Sequence, residues 1–153
     1  EENKNEIDIY TPQNFETPKI ESPELMNYVK QFDASNFGFI GNQKFPPHCT
    51  LLYLLSNPHV DQYEEIKPFL KNTLDKMQNS GLHDQIGGGF FRYCVDQEWQ
   101  IPHFEKMLYD QAMMLINYSL GYFLYEDESY KATIEQILFS KISPLFSIIY
   151  SNA

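Results

Sequence analysis

The sequence has no long apolar run and little positive charge. Its longest apolar stretch, residues 142–150, contains Pro144 and two serines, and it is far shorter than the roughly 20 apolar residues that a membrane-spanning helix needs. Lysine and arginine together number 11, against 21 aspartates and glutamates, so the net charge is −10. Because nucleic-acid binding depends on a basic face that displaces phosphate counterions, we predict neither a nucleic-acid partner nor a membrane partner.

Cysteine is also scarce. The 2 cysteines, Cys49 and Cys94, are far apart in the sequence, and no histidines cluster around them. This spacing matches neither a CxxC redox motif nor a zinc-binding framework, so we predict no metal site and no cofactor. Sparse, unpaired cysteine suits a reducing compartment, and we expect a cytoplasmic protein.

Hydrophobic residues are plentiful enough for a folded core, at 42% of the chain, with aromatic residues at 16%. In several segments they recur at helical spacing, which predicts an all-α fold of about five helices. We expect Gly81 to cap the third helix, an acidic linker or extended arm over residues 1–21 and an irregular tail over residues 139–153. The predicted helices cover residues 22–32, 49–55, 66–77, 102–125 and 129–138.

A different pattern separates the third and fourth predicted helices. Gly87, Gly88 and Gly89 precede aromatic and β-branched residues that flank a polar turn, which predicts one short β-hairpin near residues 90–101. The glycines suit a tight turn beneath this hairpin, or a loop whose bare backbone lines a ligand cleft. Their spacing matches neither a dinucleotide-binding fingerprint nor a phosphate-binding loop.

Polar side chains are concentrated where the fourth predicted helix begins. Helical spacing would place His103, Lys106 and Asp110 on one face, with Glu105 and Tyr109 on the neighbouring face. Histidine transfers protons near neutral pH, so these residues are candidates for a catalytic site. They could equally be a helix cap and a surface ion pair.

Six aromatic residues surround these polar groups in the sequence. They could stack on sugar rings, or they could form core, as a phenylalanine-rich set more often does. They are Phe90, Phe91, Tyr93, Trp99, Phe104 and Tyr109.

Two segments of the sequence resemble a known family. The run GGGFFRYCVD through Trp99 and the run PHFEKMLYDQA, which ends at Ala112, are similar to the signature of the spermatogenesis-associated, thioredoxin-domain (YyaL-like) family. Upstream, Gly38-Phe39 and Lys44-Phe45-Pro46 are similar to another segment of that family, although Phe37 and Ile40 stand where it usually has glycine. The resemblance covers about residues 32–112.

The resemblance implies a fold as well as a family. It implies that residues 22–138 are the N-terminal part of an (α/α)6 toroid, similar to those of N-acylglucosamine 2-epimerases and cellobiose 2-epimerases. Residues 1–21 would then be the linker that follows a thioredoxin-like domain. Since twelve helices and their loops need more than about 300 residues, we expect that this chain cannot close a ring by itself. The resemblance also implies that key histidines come from later helices, so we expect this chain to be inactive alone. We also expect exposed apolar helix faces, covered by a homo-oligomer or by further segments.

Together, the residues and the resemblance suggest an epimerase- or isomerase-like enzyme that acts on a small carbohydrate. In this hypothesis His103 carries the proton, while Glu105 and Asp110 orient it or act as acid and base. The alternative is a non-catalytic scaffold that serves the thioredoxin-like domain of the same protein. If the chain is catalytic, we expect four residues to bind the substrate: Arg92, Tyr93, Trp99 and Tyr109.

Overall fold

In the computed structural model, four α-helices make up the regular structure of the described part of the chain. The structure describes residues 29–57 and 66–151, with side chains through residue 140. Helix α1 is His48–Leu55, α2 is Ile66–Gln78, α3 is Leu108–Tyr125 and α4 is Glu128–Ser151. These ranges contain no β-strand, so the all-α prediction is confirmed. None of the helices in the described ranges has the length and apolarity to cross a membrane.

Helices α1 and α2 lie where the apolar periodicity places them. The predicted linker over residues 1–21 and most of the predicted helix over residues 22–32 lie outside the described residues. Gly81 follows α2 but is not a left-handed cap, since its φ is not positive. Its role is close approach, because a Cβ atom there would collide with the backbone carbonyl oxygen of Gln100.

Helix α3 begins at Leu108, so the prediction that a helix opens at Pro102 is wrong. The backbone N–H of His103 donates instead to the carbonyl oxygen of Tyr93, at 2.9 Å. Met107, directly before the helix, still has an extended backbone with φ −94° and ψ 141°. Residues that pair sideways in this way cannot form the i to i−4 hydrogen bonds of a helix.

Helix α4 is longer than its apolar pattern predicts. It continues to Ser151, beyond the expected end at residue 138 and through residues that we expected to be irregular. Pro144 lies inside it, and proline removes one helical hydrogen bond because it has no N–H. The backbone remains helical on both sides of this residue.

The β-hairpin predicted near residues 90–101 does not form as a pair of strands. Within the described ranges, the extended backbone pairs only through isolated bridges, one of them between Cys94 and Pro102. The polar turn is present, because the Asp96 carboxylate accepts hydrogen bonds from three of the backbone N–H groups that follow it. A ladder cannot extend further, since Pro102 has no N–H and Trp99 has a positive φ of 65°.

The core surrounds α3, which packs against each of the other three helices. Packing is close at Gly121, where a Cβ atom would lie 2.7 Å from the Leu74 Cδ1 atom. Tyr118 is completely buried, and its hydroxyl donates to the Leu74 carbonyl oxygen of α2 at 2.9 Å. Burial of these large side chains is the main favourable contribution to folding.

Gln111 of α3 joins the helix to the glycine-rich loop. Its side-chain Oε1 accepts the backbone N–H of Phe90 at 2.8 Å, and its Nε2 donates to the Phe90 carbonyl oxygen at 2.7 Å. Both groups are buried, where an unpaired backbone N–H or carbonyl would be unfavourable by about 1–3 kcal/mol. The amide therefore replaces the strand partner that this segment lacks.

A buried lysine organises the loop before α1. Lys44 is 1% exposed, and its ammonium group donates to the Asp33 carboxylate and to the Phe39 carbonyl oxygen, both at 2.7 Å. Burial alone would raise the pKa of Asp33, but the Lys44 hydrogen bond and backbone N–H donors lower it to about 2. The loop thus surrounds the buried Lys44 ammonium group and supplies its hydrogen-bond acceptors.

We predict that Lys44→Met lowers the free energy of unfolding by about 3 kcal/mol, because it leaves the Asp33 carboxylate without its cation. Chemical denaturation measures this change. The control is Lys71→Met, which removes a lysine that also contacts two carboxylates but is 37% exposed. It should change stability by at most about 1 kcal/mol, and equal effects of the two variants would contradict the assignment.

Candidate functional site

Three aromatic rings stack in a row at the protein surface. The ring centroids of Phe45 and Tyr93 are 4.6 Å apart, and those of Tyr93 and His103 are 4.9 Å apart, with interplanar angles of 14° and 11°. The row is set by two backbone bridges of Cys94, one to Lys44 and one to Pro102. Each bridge brings the next residue beside Tyr93, so the loops align the rings without a helix.

A carboxylate lies between two basic groups beside this row. Glu105 Oε2 is 3.3 Å from Arg92 Nη1 and 3.7 Å from His103 Nδ1. The hydrogen bond to Glu105 and the nearby Tyr109 phenol raise the pKa of Arg92. The side chains of His103 and Glu105 are 50% and 39% exposed, so a ligand can reach both. We call Phe45, Arg92, Tyr93, His103 and Glu105 the histidine surface.

Asp110 does not share a helix face with His103 or Lys106, because α3 starts after both of them. Asp110 points inward, and its Oδ1 is 3.1 Å from His48 Nε2 at the start of α1. Lys106 turns away toward the glycine-rich loop, where it donates to Asp84 and, at 2.7 Å, to the Gly88 carbonyl oxygen. The expected row of three polar groups is therefore divided between two places.

His48 is the residue that the sequence analysis did not select. The sequence around His48 does not indicate a site, because its partner Asp110 is 62 residues away and only the packing of α3 against α1 brings the two together. Burial lowers the pKa of His48, and Asp110 opposes this effect only in part. His48 Nδ1, Asp110 Oδ2 and Asn117 Oδ1 are buried without a hydrogen-bond partner in the part of the chain described.

Trp99 is a core residue and does not form a stacking wall. Its side chain has no exposed surface, and its Nε1 donates to the Asn36 carbonyl oxygen at 2.9 Å. A Cβ atom at Gly38 would lie 2.8 Å from the indole, so the loop before α1 packs directly on the ring. We therefore withdraw Trp99 from the substrate-binding residues, whereas Tyr109 remains 51% exposed.

The triple glycine forms a tight turn. Gly88 and Gly89 have positive φ values of 69° and 74°, and a Cβ atom at Gly89 would lie 2.5 Å from the side-chain Oε1 of Gln111. The Gly87 N–H donates to the Asp84 carboxylate at 2.8 Å. The turn also lines a surface pocket of about 320 Å³ that reaches Phe139 on α4.

Metal binding has no clear place in the described residues. No group of three or more histidine, cysteine, aspartate or glutamate residues is arranged there to hold an ion. Cys94 is buried, and burial raises the pKa of its thiol to about 12, which disfavours the thiolate that binds metals.

Comparison with known proteins places this segment among longer relatives. Over 111 residues the chain is 38% identical to spermatogenesis-associated protein 20 of Homo sapiens and 37% identical to the Mus musculus protein of that name. These similarities support the resemblance of this chain to the spermatogenesis-associated family. The chain is also 45% identical over 92 residues to an uncharacterised protein of Caenorhabditis elegans. No family model matches it.

The chain spans only a small part of these spermatogenesis-associated relatives. The matches to the human and mouse proteins cover 70% of this chain but 14% of each relative. For the Caenorhabditis elegans protein the values are 58% and 13%. The matched part of the chain thus corresponds to about one seventh of each mammalian relative.

Two histidines, partly buried His48 and buried His83, should make stability depend on pH near neutrality. Burial lowers the folded-state pKa of both His48 and His83 below the ordinary 6.5. The unfolded chain therefore binds more protons than the folded chain as the pH falls through about 6.5. Stability should be fully present above this pH and should decline below it.

We predict that the urea concentration at the unfolding midpoint decreases as the pH is lowered from about 7.5 to about 5.5. His48→Gln should remove part of this decrease, because glutamine keeps a donor toward Asp110 but does not titrate. Urea unfolding across this range measures the effect. Three carboxylates with a pKa of about 2 lie outside this window: Asp33, Asp84 and Asp127. An unchanged pH profile in His48→Gln would contradict the assignment.

Proposed function

We propose that the histidine surface forms one wall of a carbohydrate-binding site in an epimerase- or isomerase-like (α/α)6 toroid. The observation that carries this proposal is the surface stack of Phe45, Tyr93 and His103, whose two end rings are exposed, beside the Arg92–Glu105 pair. In this proposal, the complete toroid and the thioredoxin-like domain are parts of a longer protein that includes this chain. We also propose that this longer protein is cytoplasmic.

The chemistry of a sugar ring suits this surface. A sugar presents an apolar C–H face and a rim of hydroxyl groups, so it needs a flat apolar surface next to donors and acceptors. Phe45 is 50% exposed, and because it lies at one end of the stack, its outer ring face is not covered by the other two rings. Arg92 contributes guanidinium donors, of which the Glu105 contact uses one nitrogen. Tyr109 can add a phenol at the edge.

Acid–base chemistry can be assigned to the same groups. Epimerisation beside a carbonyl requires a group that removes a proton and a group that returns it. The imidazole of His103 and the carboxylate of Glu105 are both exposed, and they lie 3.7 Å apart at their nearest nitrogen and oxygen. We assign His103 as the proton carrier and Glu105 as its orienting carboxylate. Asp110 is reassigned, because it positions partly buried His48 instead.

A saturation-transfer NMR titration with monosaccharides and disaccharides tests the proposal. We expect weak, saturable binding whose affinity falls about tenfold, or by about 1.4 kcal/mol, in Tyr93→Ala. Phe139→Ala is the matched control, since it removes an aromatic side chain that is 70% exposed on another surface. Absence of saturable binding to the wild-type chain, or an equal loss in the control, would contradict the carbohydrate proposal.

The burial of Trp99 and Asp110 favours a second candidate function. A surface that loses two of its expected site residues to the core could be a non-catalytic scaffold for the thioredoxin-like domain. The Arg92–Glu105 pair would then hold the loops together and would have no role toward a ligand. Under this alternative, Glu105→Gln should leave any ligand titration unchanged.

A further inference from the structure

Helix α3 presents an exposed face that carries no charged side chain. Asp110 is the single charged residue among its 18 residues, and it is buried. A helix at a water-exposed surface ordinarily carries charged residues on its outer side, and a helix that is apolar all round is usually covered. The exposed residues on one side of α3 are Leu108, Ala112, Ile116, Ser119 and Phe123; we call them the α3 face.

Large apolar side chains dominate this face. Leu108 is 74% exposed, Ile116 is 43% exposed and Phe123 is 85% exposed. From their fractional exposure and typical side-chain areas, two such faces in contact would bury on the order of 1,000 Å² in total. That area lies at the lower limit for a specific protein interface, so the expected association is weak, with micromolar affinity.

The order of residues along the face is self-complementary. A large residue lies at each end, Leu108 and Phe123, and a small residue, Ala112 or Ser119, lies inward of each. The pattern is symmetric about a point beside Ile116. Two copies of α3 that cross in opposite directions would therefore place Leu108 against Phe123 and Ala112 against Ser119. Small residues opposite one another allow close approach of two helices, as ridges enter grooves.

Charge favours the same antiparallel direction. The end of α3 is followed directly by Glu126, which has no ion pair within the described part of the chain. A parallel arrangement would place the Glu126 carboxylates of the two copies together, whereas an antiparallel arrangement separates them by the length of the helix.

We propose that two copies of the chain associate through the α3 face, antiparallel and around a two-fold axis beside Ile116. A two-fold dimer uses the same patch on both copies, which the symmetric order of this face allows. The net charge of −10 repels the two copies elsewhere, so screening by salt strengthens the association.

Sedimentation equilibrium of the full chain tests the proposal. The wild type should dimerise with micromolar affinity, more tightly at high salt, and Ile116→Glu should weaken dimerisation at least about tenfold. The matched control is Ile86→Glu, which places the same charge on a fully exposed isoleucine away from α3 and should leave dimerisation unchanged. Circular dichroism verifies that both variants remain helical.

A monomeric wild type at about 100 µM, well above the range expected for such an interface, would overturn the proposal. So would equal weakening by Ile116→Glu and Ile86→Glu. Either outcome would leave the carbohydrate proposal standing, because the histidine surface is not part of the α3 face.

Disulfide cross-linking tests the direction of packing. The variants are made with Cys49→Ser, because Cys49 is exposed. Ile116→Cys lies beside the proposed axis and should cross-link to its counterpart on oxidation. Leu108→Cys should not, because an antiparallel arrangement separates the two copies of this residue by roughly 22 Å along the helix. Cross-linking of both variants would indicate parallel packing and contradict the antiparallel dimer.

Discussion

The buried side of α3 is the constraint on which the rest of the structure depends. Its polar side chains make directed bonds to separate parts of the chain: to α1, to the glycine-rich loop and to α2. A buried polar group that lacks a hydrogen-bond partner lowers the free energy of unfolding. Each of these bonds therefore fixes the position of the segment that it contacts. The residues concerned are Asp110, Gln111, Asn117 and Tyr118.

The site inherits its geometry from this arrangement. Gln111 binds the backbone of Phe90 through two hydrogen bonds. These bonds fix the start of the segment that goes on to form the backbone bridges of Cys94. From there, Cys94 pairs with both Lys44 and Pro102, which aligns the exposed rings. The site is thus built on irregular loops, but those loops are fixed by internal hydrogen bonds and a buried lysine. Loops held in this way can position binding residues on a rigid scaffold.

The sequence was a good guide to the helices and a poor guide to the segment before α3. Apolar periodicity locates α1 and α2 because burial of one face repeats at every turn. The same method failed at Pro102, since a proline suits the start of a helix but suits an extended bridge equally well. Of the predicted site, the loops bring together Arg92, Tyr93, His103 and Glu105.

Two site assignments could not have come from local pattern. Trp99 resembles a stacking residue in sequence, and its complete burial, with Gly38 against its ring, shows that it is core. His48 and Asp110 are distant in sequence, so their pairing depends on how α1 packs against α3. The spermatogenesis-associated relatives support the family resemblance, but the resemblance did not predict these tertiary contacts.

Hydrogen exchange in Gln111→Leu tests the central claim most directly, since leucine keeps the volume of glutamine but removes both bonds to Phe90. We predict that the Phe90 N–H exchanges at least about tenfold faster, the equivalent of about 1.4 kcal/mol. Amides in the middle of α3 should keep their protection. Unchanged exchange at Phe90 would contradict the account, because the loop would then be held without the α3 side chain.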